Sequence, residues 1–191
     1  MEDTRGRLVQ PGAGAGSSRG LKYNTSESRG DPIPLSSTKL VGRAFEENKN
    51  VIWPLLMDDK FSTIAIYGMG GVGKTTMLQH IHNELLERRD IFYRVYWVTV
   101  SRDCSINRLQ NLVATCLDLD LSRDDDNLRR AVKLSKELVK KQKWILILDD
   151  LWNSFELHVV GIPVNLKGCK LIMTTRSEKV CNQMDTNTKS N

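Results

Sequence analysis

The sequence predicts an α/β domain with a parallel central sheet, and three observations carry that expectation. From Leu40 onward, short β-rich runs alternate with helical apolar periods. A glycine cluster ends the first of those runs and leads into a helix. The run WILIL at 144–148 is apolar at every position, as a strand buried on both faces must be. The 191 residues suit one globular domain with tails, and 40% hydrophobic content is enough for a core.

Residues 1–39 read as a flexible leader, because PGAGAGSSRG is rich in small residues and DPIPLSS carries two prolines. The first strand is Thr63–Tyr67 (TIAIY). Met77, Ile81 and Leu85 then recur every four residues, with Leu78 and Leu86 widening the stripe, which predicts a helix. The second strand is 93–100, aromatic and β-branched. Ile106, Leu109, Leu112, Val113 and Cys116 mark the next helix. The S-x-x-D spacing of Ser122 and Asp125 predicts a capping box opening a further helix to about Lys140. The third strand is 144–148 and the fourth 170–174, followed by a short helix near 177–183. The domain spans 40–184, and the polar residues 185–191 are expected to be unstructured.

Composition removes several functions. The net charge of +5 is spread thinly: residues 1–39 hold six basic and four acidic side chains, and 40–184 hold 21 and 18. Broad nucleic-acid binding is not expected from that balance. No apolar run approaches the ~20 residues of a membrane span, and the N-terminus lacks the apolar stretch of a secretory signal. The four cysteines form no CxxC pair and read as reduced thiols in a cytoplasmic setting. His80 and His82, two apart on a helix, face different ways and share no metal. The basic segment 129–143, with Leu128, Val132, Leu138 and Val139 as its apolar side, reads as the solvated face of a sheet-covering helix.

The most specific feature is GMGGVGKTT: Gly68, Met69, Gly70, Gly71, Val72, Gly73, Lys74, Thr75 and Thr76. It matches G-x-x-x-x-G-K-[ST] between a strand and a helix, the context in which such a loop cradles phosphates. Its glycines permit tight bends that aim backbone N–H groups at a polyphosphate. The helix that begins near Gly73 adds its positive end. Lys74 would reach the β- and γ-phosphates, the Thr75 hydroxyl would join Mg²⁺, and Thr76 could serve the α-phosphate. Asp149, closing the apolar third strand, is placed to hold Mg²⁺ directly or through water. Asp150 beside it would orient or deprotonate an attacking water. Arg176, after the fourth strand, would sit at the same carboxyl edge and distinguish ATP from ADP, or else pair with a surface acid.

Five ordered blocks make the chain resemble the NB-ARC nucleotide-binding domain of plant disease-resistance proteins, of the coiled-coil class. They are LVGRAFEE at 40–47, GMGGVGKTT at 68–76, VYWVTVS at 95–101, WILILDDLW at 144–152 and CKLIMTTR at 169–176. The resemblance implies a P-loop NTPase three-layer fold with sheet order 5-1-4-3-2. It places Val41 and Arg43 against adenine and ribose, and Ala44 stands where the family often has Glu. It further implies ADP in a closed resting state, ATP in an oligomerising active state, and self-association or pairing with related receptors. The family's fifth strand, GLPL and MHD motifs and leucine-rich repeats do not follow in this sequence, so a truncated chain with weak binding and slow hydrolysis at most is expected. Two other functions stay open: a non-catalytic module that pairs with full-length receptors, and a P-loop kinase.

Overall fold

The computed structural model describes residues 31–35, 43–88, 90, 93–124, 126–163 and 166–189. In chain order the elements are α1 (Arg43–Met57), β1 (Thr63–Tyr67), α2 (Lys74–Glu87), β2 (Arg94–Thr99), α3 (Ile106–Cys116), α4 (Asn127–Lys141), β3 (Trp144–Leu151), α5 (Leu157–Val160), β4 (Cys169–Thr175) and α6 (Glu178–Lys189). The four strands form one parallel sheet in the order β1-β4-β3-β2. That is the predicted order for the four strands that the sequence marks.

The side-chain alternation of a strand explains why β3 is apolar throughout. Ile145 and Ile147 point to one face, where they join Ile172, Val95 and the inner sides of α1 and α2. Leu146 and Leu148 point to the other and meet Leu171, Met173, and apolar residues of α3, α4 and α5. Helices on both faces thus hold the sheet still, and its carboxyl ends open on one rim.

Several boundaries differ from the sequence expectation for physical reasons. Helix α4 starts at Asn127, where the Asp126 side chain accepts the Leu128 N–H at 3.0 Å. Ser122 is not its cap: its own N–H is held by the Asp120 carboxylate at 2.8 Å in a preceding turn. The buried face of α4 is Arg130, Ala131, Leu134 and Leu138, while Leu128, Val132 and Val139 are exposed. Arg130 is therefore no solvated lysine-like cation. Its guanidinium donates to Gln110 Oε1 at 3.0 Å, to the Leu121 and Asp124 carbonyls, and to the Asn111 side chain, tying α3 and α4 to the loop between them.

At the other end of the chain, α6 continues to Lys189, into the segment read as unstructured. Part of the stretch read as leader is fixed too. Ile33 gives its N–H to Asn83 Oδ1 at 2.9 Å and accepts from Asn83 Nδ2 at 2.8 Å, pairing residues 31–35 with α2. Helix α1 was not marked in the sequence, since Pro54 lies inside it and removes a helical donor.

Candidate functional site

The carboxyl rim of the sheet is built around the loop between β1 and α2. Gly68 continues the pairing of β1, giving its N–H to the Thr175 carbonyl at 3.3 Å. Gly71 and Gly73 adopt φ of +79° and +89°, a backbone that L side chains rarely take. A Cβ at either would meet nothing within 4 Å, so conformation and not space demands glycine there. The first helical bond of α2 runs from Met77 N–H to the Gly73 carbonyl at 2.9 Å. The N–H groups of Lys74, Thr75 and Thr76 lie ahead of it at a helix end with no side-chain cap and no acidic residue in its first turn. Such an end is electropositive and rich in donors.

The side chains around this end are organised in pairs. Lys74 folds over the loop, its ammonium donating to the Gly68 carbonyl at 2.6 Å and the Met69 carbonyl at 2.8 Å. Thr75 donates to the Asp149 carboxylate, with oxygen separations of 3.1 and 2.9 Å. Asp149 is 2% exposed and also accepts the Thr174 hydroxyl at 2.6 Å. Thr174 in turn accepts the Asp150 N–H at 2.8 Å, so one hydroxyl ties both acids. That contact accompanies a bulge between Leu148 and Leu151, where Asp150 takes φ of +61°. The bulge turns consecutive acids to different tasks: Asp149 faces the P-loop and Asp150 faces Arg176.

Asp150 and Arg176 form a two-point pair, Nε to Oδ1 at 3.0 Å and Nη2 to Oδ2 at 3.2 Å. The same guanidinium lies 5.0 Å from the centroid of the Trp152 ring, over which Arg102 also lies at 5.3 Å. It also lies beside the P-loop, since a Cβ added at Gly70 would stand 3.3 Å from Arg176 Nη1. Lys74, Thr75, Asp149, Asp150 and Arg176 thus lie together on the carboxyl rim. Val41 lies outside the described residues, and Arg43 is placed only as the first residue of α1.

Two features were not anticipated from the sequence. A cleft of about 540 Å³ opens beside Gly73 and Lys74, walled by Phe45, Ile52, Leu55, Ile66 and Met77. The apolar period of α1 was the signal for it. The Arg102–Trp152–Arg176 contact has no signal in spacing alone.

The donor set suits a hard divalent cation. Thr75 and Asp149 offer only oxygen, and they already lie within hydrogen-bonding distance of each other. Among the described residues no group of three or more His, Cys, Asp or Glu could hold a metal. The protein's share of a site would be one hydroxyl and one carboxylate, which fits Mg²⁺ that keeps water and phosphate oxygens.

Comparison with known proteins gives the family. The NB-ARC domain profile matches residues 45–191. The chain belongs to the NB-ARC domain family. Among the curated proteins to which it is similar are several from Arabidopsis thaliana. It is 39% identical to disease resistance protein RPS5 over 81% of this chain and 17% of that protein. It is 38% identical to disease resistance protein SUMM2 over 84% of this chain and 18% of that one. It is 35% identical to disease resistance protein RFL1 over 81% and 17%. The chain therefore spans under a fifth of the length of these relatives. Among solved structures, Cdc6p from Pyrobaculum aerophilum shares the fold, with a TM-score of 0.56 and 19% identity over 81% of this chain and 45% of that one. No helix among the described residues is long and apolar enough to cross a membrane.

Proposed function

We propose that this NB-ARC domain binds ADP or ATP together with Mg²⁺, and that the nucleotide held sets the signalling state of a plant disease resistance protein in the cytoplasm. The observation that carries the reading is the uncapped N-terminus of α2, with Lys74 folded over it and the Thr75–Asp149 pair beside it. The first-turn N–H groups and the amides of residues 69–73 would bind phosphate oxygens. Lys74 would exchange its two carbonyl partners for the β- and γ-phosphates. Thr75 and Asp149 would hold Mg²⁺, which would screen the phosphate charge. The apolar cleft bounded by Phe45, Ile52 and Met77 suits an adenine ring, and the family resemblance would add Val41 and Arg43 at that end of the nucleotide.

Asp150 and Arg176 would read the terminal phosphate. The Asp150 carboxylate is engaged by Arg176. A γ-phosphate would compete for Arg176, and ADP lacks one, so the pair separates the two nucleotides. This favours a switch read by occupancy over an enzyme read by product. Self-association through the sheet edge at β1, which among the described residues pairs on one side only, belongs to the same reading.

The test is calorimetric titration of the protein with ATP, ADP and GTP, with and without Mg²⁺. Binding of both adenine nucleotides, tighter with Mg²⁺ and lost in Lys74→Ala, is expected. Equal binding by the parent and Lys74→Ala would refute the phosphate site.

A further inference from the structure

Trp152 binds no phosphate or metal in the proposed nucleotide site, yet its ring lies 5.0 Å from the Arg176 guanidinium that would separate ATP from ADP. Arg176 meets the Asp150 carboxylate at 3.0 Å and the Trp152 ring at 5.0 Å, and it lies beside Gly70 of the P-loop. Its side chain is half exposed. A long, exposed arginine held only by a carboxylate samples many rotamers, and ordering it costs binding free energy. An aromatic face offers a guanidinium a second, weakly directional hold that survives a small displacement. Arg102 lies over the same ring at 5.3 Å, and among the described residues it forms no ion pair. The ring is thus gripped from Arg102, which nothing ties to Asp150, and from Arg176, which is.

We propose that Trp152 is a positioning residue for phosphate sensing. It is a seat on which the Arg176 guanidinium transfers from Asp150 to the terminal phosphate of a nucleoside triphosphate. In the state described here Asp150 and the ring share the cation. When a γ-phosphate arrives, Arg176 leaves the carboxylate and stays on the ring, so little side-chain freedom is lost in the exchange. Arg102 keeps the indole in place meanwhile. A diphosphate does not reach Arg176, and the seat contributes nothing to its affinity. The inference rests on the nucleotide reading above, and its test separates the two.

The experiment measures dissociation constants for Mg²⁺ with ADP and with a non-hydrolysable ATP analogue, for the parent, Trp152→Leu, Trp152→Phe, Arg176→Ala and the Trp152→Leu/Arg176→Ala double variant. Trp152→Leu is expected to weaken the analogue by about two- to fivefold, the range of an exposed cation–π contact, with ADP unchanged. Trp152→Phe keeps an aromatic face and recovers most of the loss. In the Arg176→Ala background, Trp152→Leu adds nothing, because the two residues act as one unit. The Trp152 share of the fluorescence, taken as parent minus Trp152→Phe, changes with the analogue and not with ADP. Equal weakening of both nucleotides, failure of Trp152→Phe to recover, or an undiminished loss without Arg176 would each overturn the proposal while leaving the nucleotide site standing. A parent that binds neither ligand would overturn both.

Discussion

Lys74 and Lys170 are bonded alike and placed differently. Each ammonium donates to two backbone carbonyls: Lys74 to Gly68 and Met69 at 2.6 and 2.8 Å, Lys170 to Asp58 and Phe61 at 2.5 and 2.6 Å. Lys170 stands in the central strand β4 and is 1% exposed, and burial pushes its pKa down. Its partners close the turn after α1, so it fastens the chain to the sheet. Lys74 opens a helix, half-buried, over a loop held by two positive-φ glycines. Its carbonyl partners are local and within reach of solvent. Hydrogen bonding alone does not tell a structural cation from a ligand-binding one. What tells them apart is whether an anion can take the partners' place, and that depends on the helix end beside Lys74.

The largest effects test this contrast from both sides. Lys170→Met removes the charged donor from the Asp58 and Phe61 carbonyls and is expected to lower stability by about 1–3 kcal/mol, read as a fall in the denaturation midpoint. Its folded fraction should bind nucleotide as the parent does. Lys74→Ala should do the reverse. Nucleotide affinity falls by about tenfold to a hundredfold, as loss of a charge-assisted bond implies. Its melting curve stays near that of the parent. If Lys170→Met weakens nucleotide binding in the folded protein, or Lys74→Ala unfolds it, the division between the two lysines is wrong.

Arg130 and Arg176 repeat the contrast in guanidinium form. Arg130 is buried among neutral acceptors, and Arg130→Leu leaves several of them without a donor. A stability loss of about 2–3 kcal/mol is expected by urea denaturation. Arg176→Ala, at an exposed ion pair, should change stability by less than about 1 kcal/mol.

A smaller effect concerns pH. His82 is buried, and desolvation lowers its pKa although Asn83 hydrogen-bonds its ring. The unfolded chain takes up a proton near the ordinary value, while the folded one resists. The stability that His82 contributes is therefore complete above that value and is lost as pH falls below it toward the folded pKa. Melting temperatures between pH 7.5 and 5 should decline, and His82→Gln should flatten that slope.

Much of the fold was legible because each strand announces itself. TIAIY, YRVYWVTV, WILIL and KLIMT are apolar or β-branched runs between breakers, and a parallel sheet with helices on both faces follows from them. The P-loop was legible for another reason: positive-φ backbone at Gly71 and Gly73 requires glycine, so geometry is written into residue type. What stayed hidden depended on tertiary partners. Arg130 reads as part of a solvated basic face until its acceptors are placed around it, and no pattern of residue types marks Lys170 as buried. The bulge at Asp150 lengthens β3 past the expected end at Leu148, and no pattern of residue types marks it. The Asp150–Arg176 pair joins residues that the sequence offered as separate agents, a base and a sensor. Helix α1 was concealed by Pro54, and with it the apolar wall beside Lys74.

In the proposed nucleotide complex, phosphate oxygens settle at the open end of α2 and draw the Lys74 ammonium off its two carbonyls. Following the backbone amide resonances of Gly70, Gly71 and Gly73 during titration with Mg²⁺ and ADP tests it most directly. Large downfield shifts of these amides, saturating with the calorimetric Kd and absent from Lys74→Ala, are the result expected. Binding that leaves these resonances in place and instead moves those of β2, the opposite edge of the sheet, would contradict it.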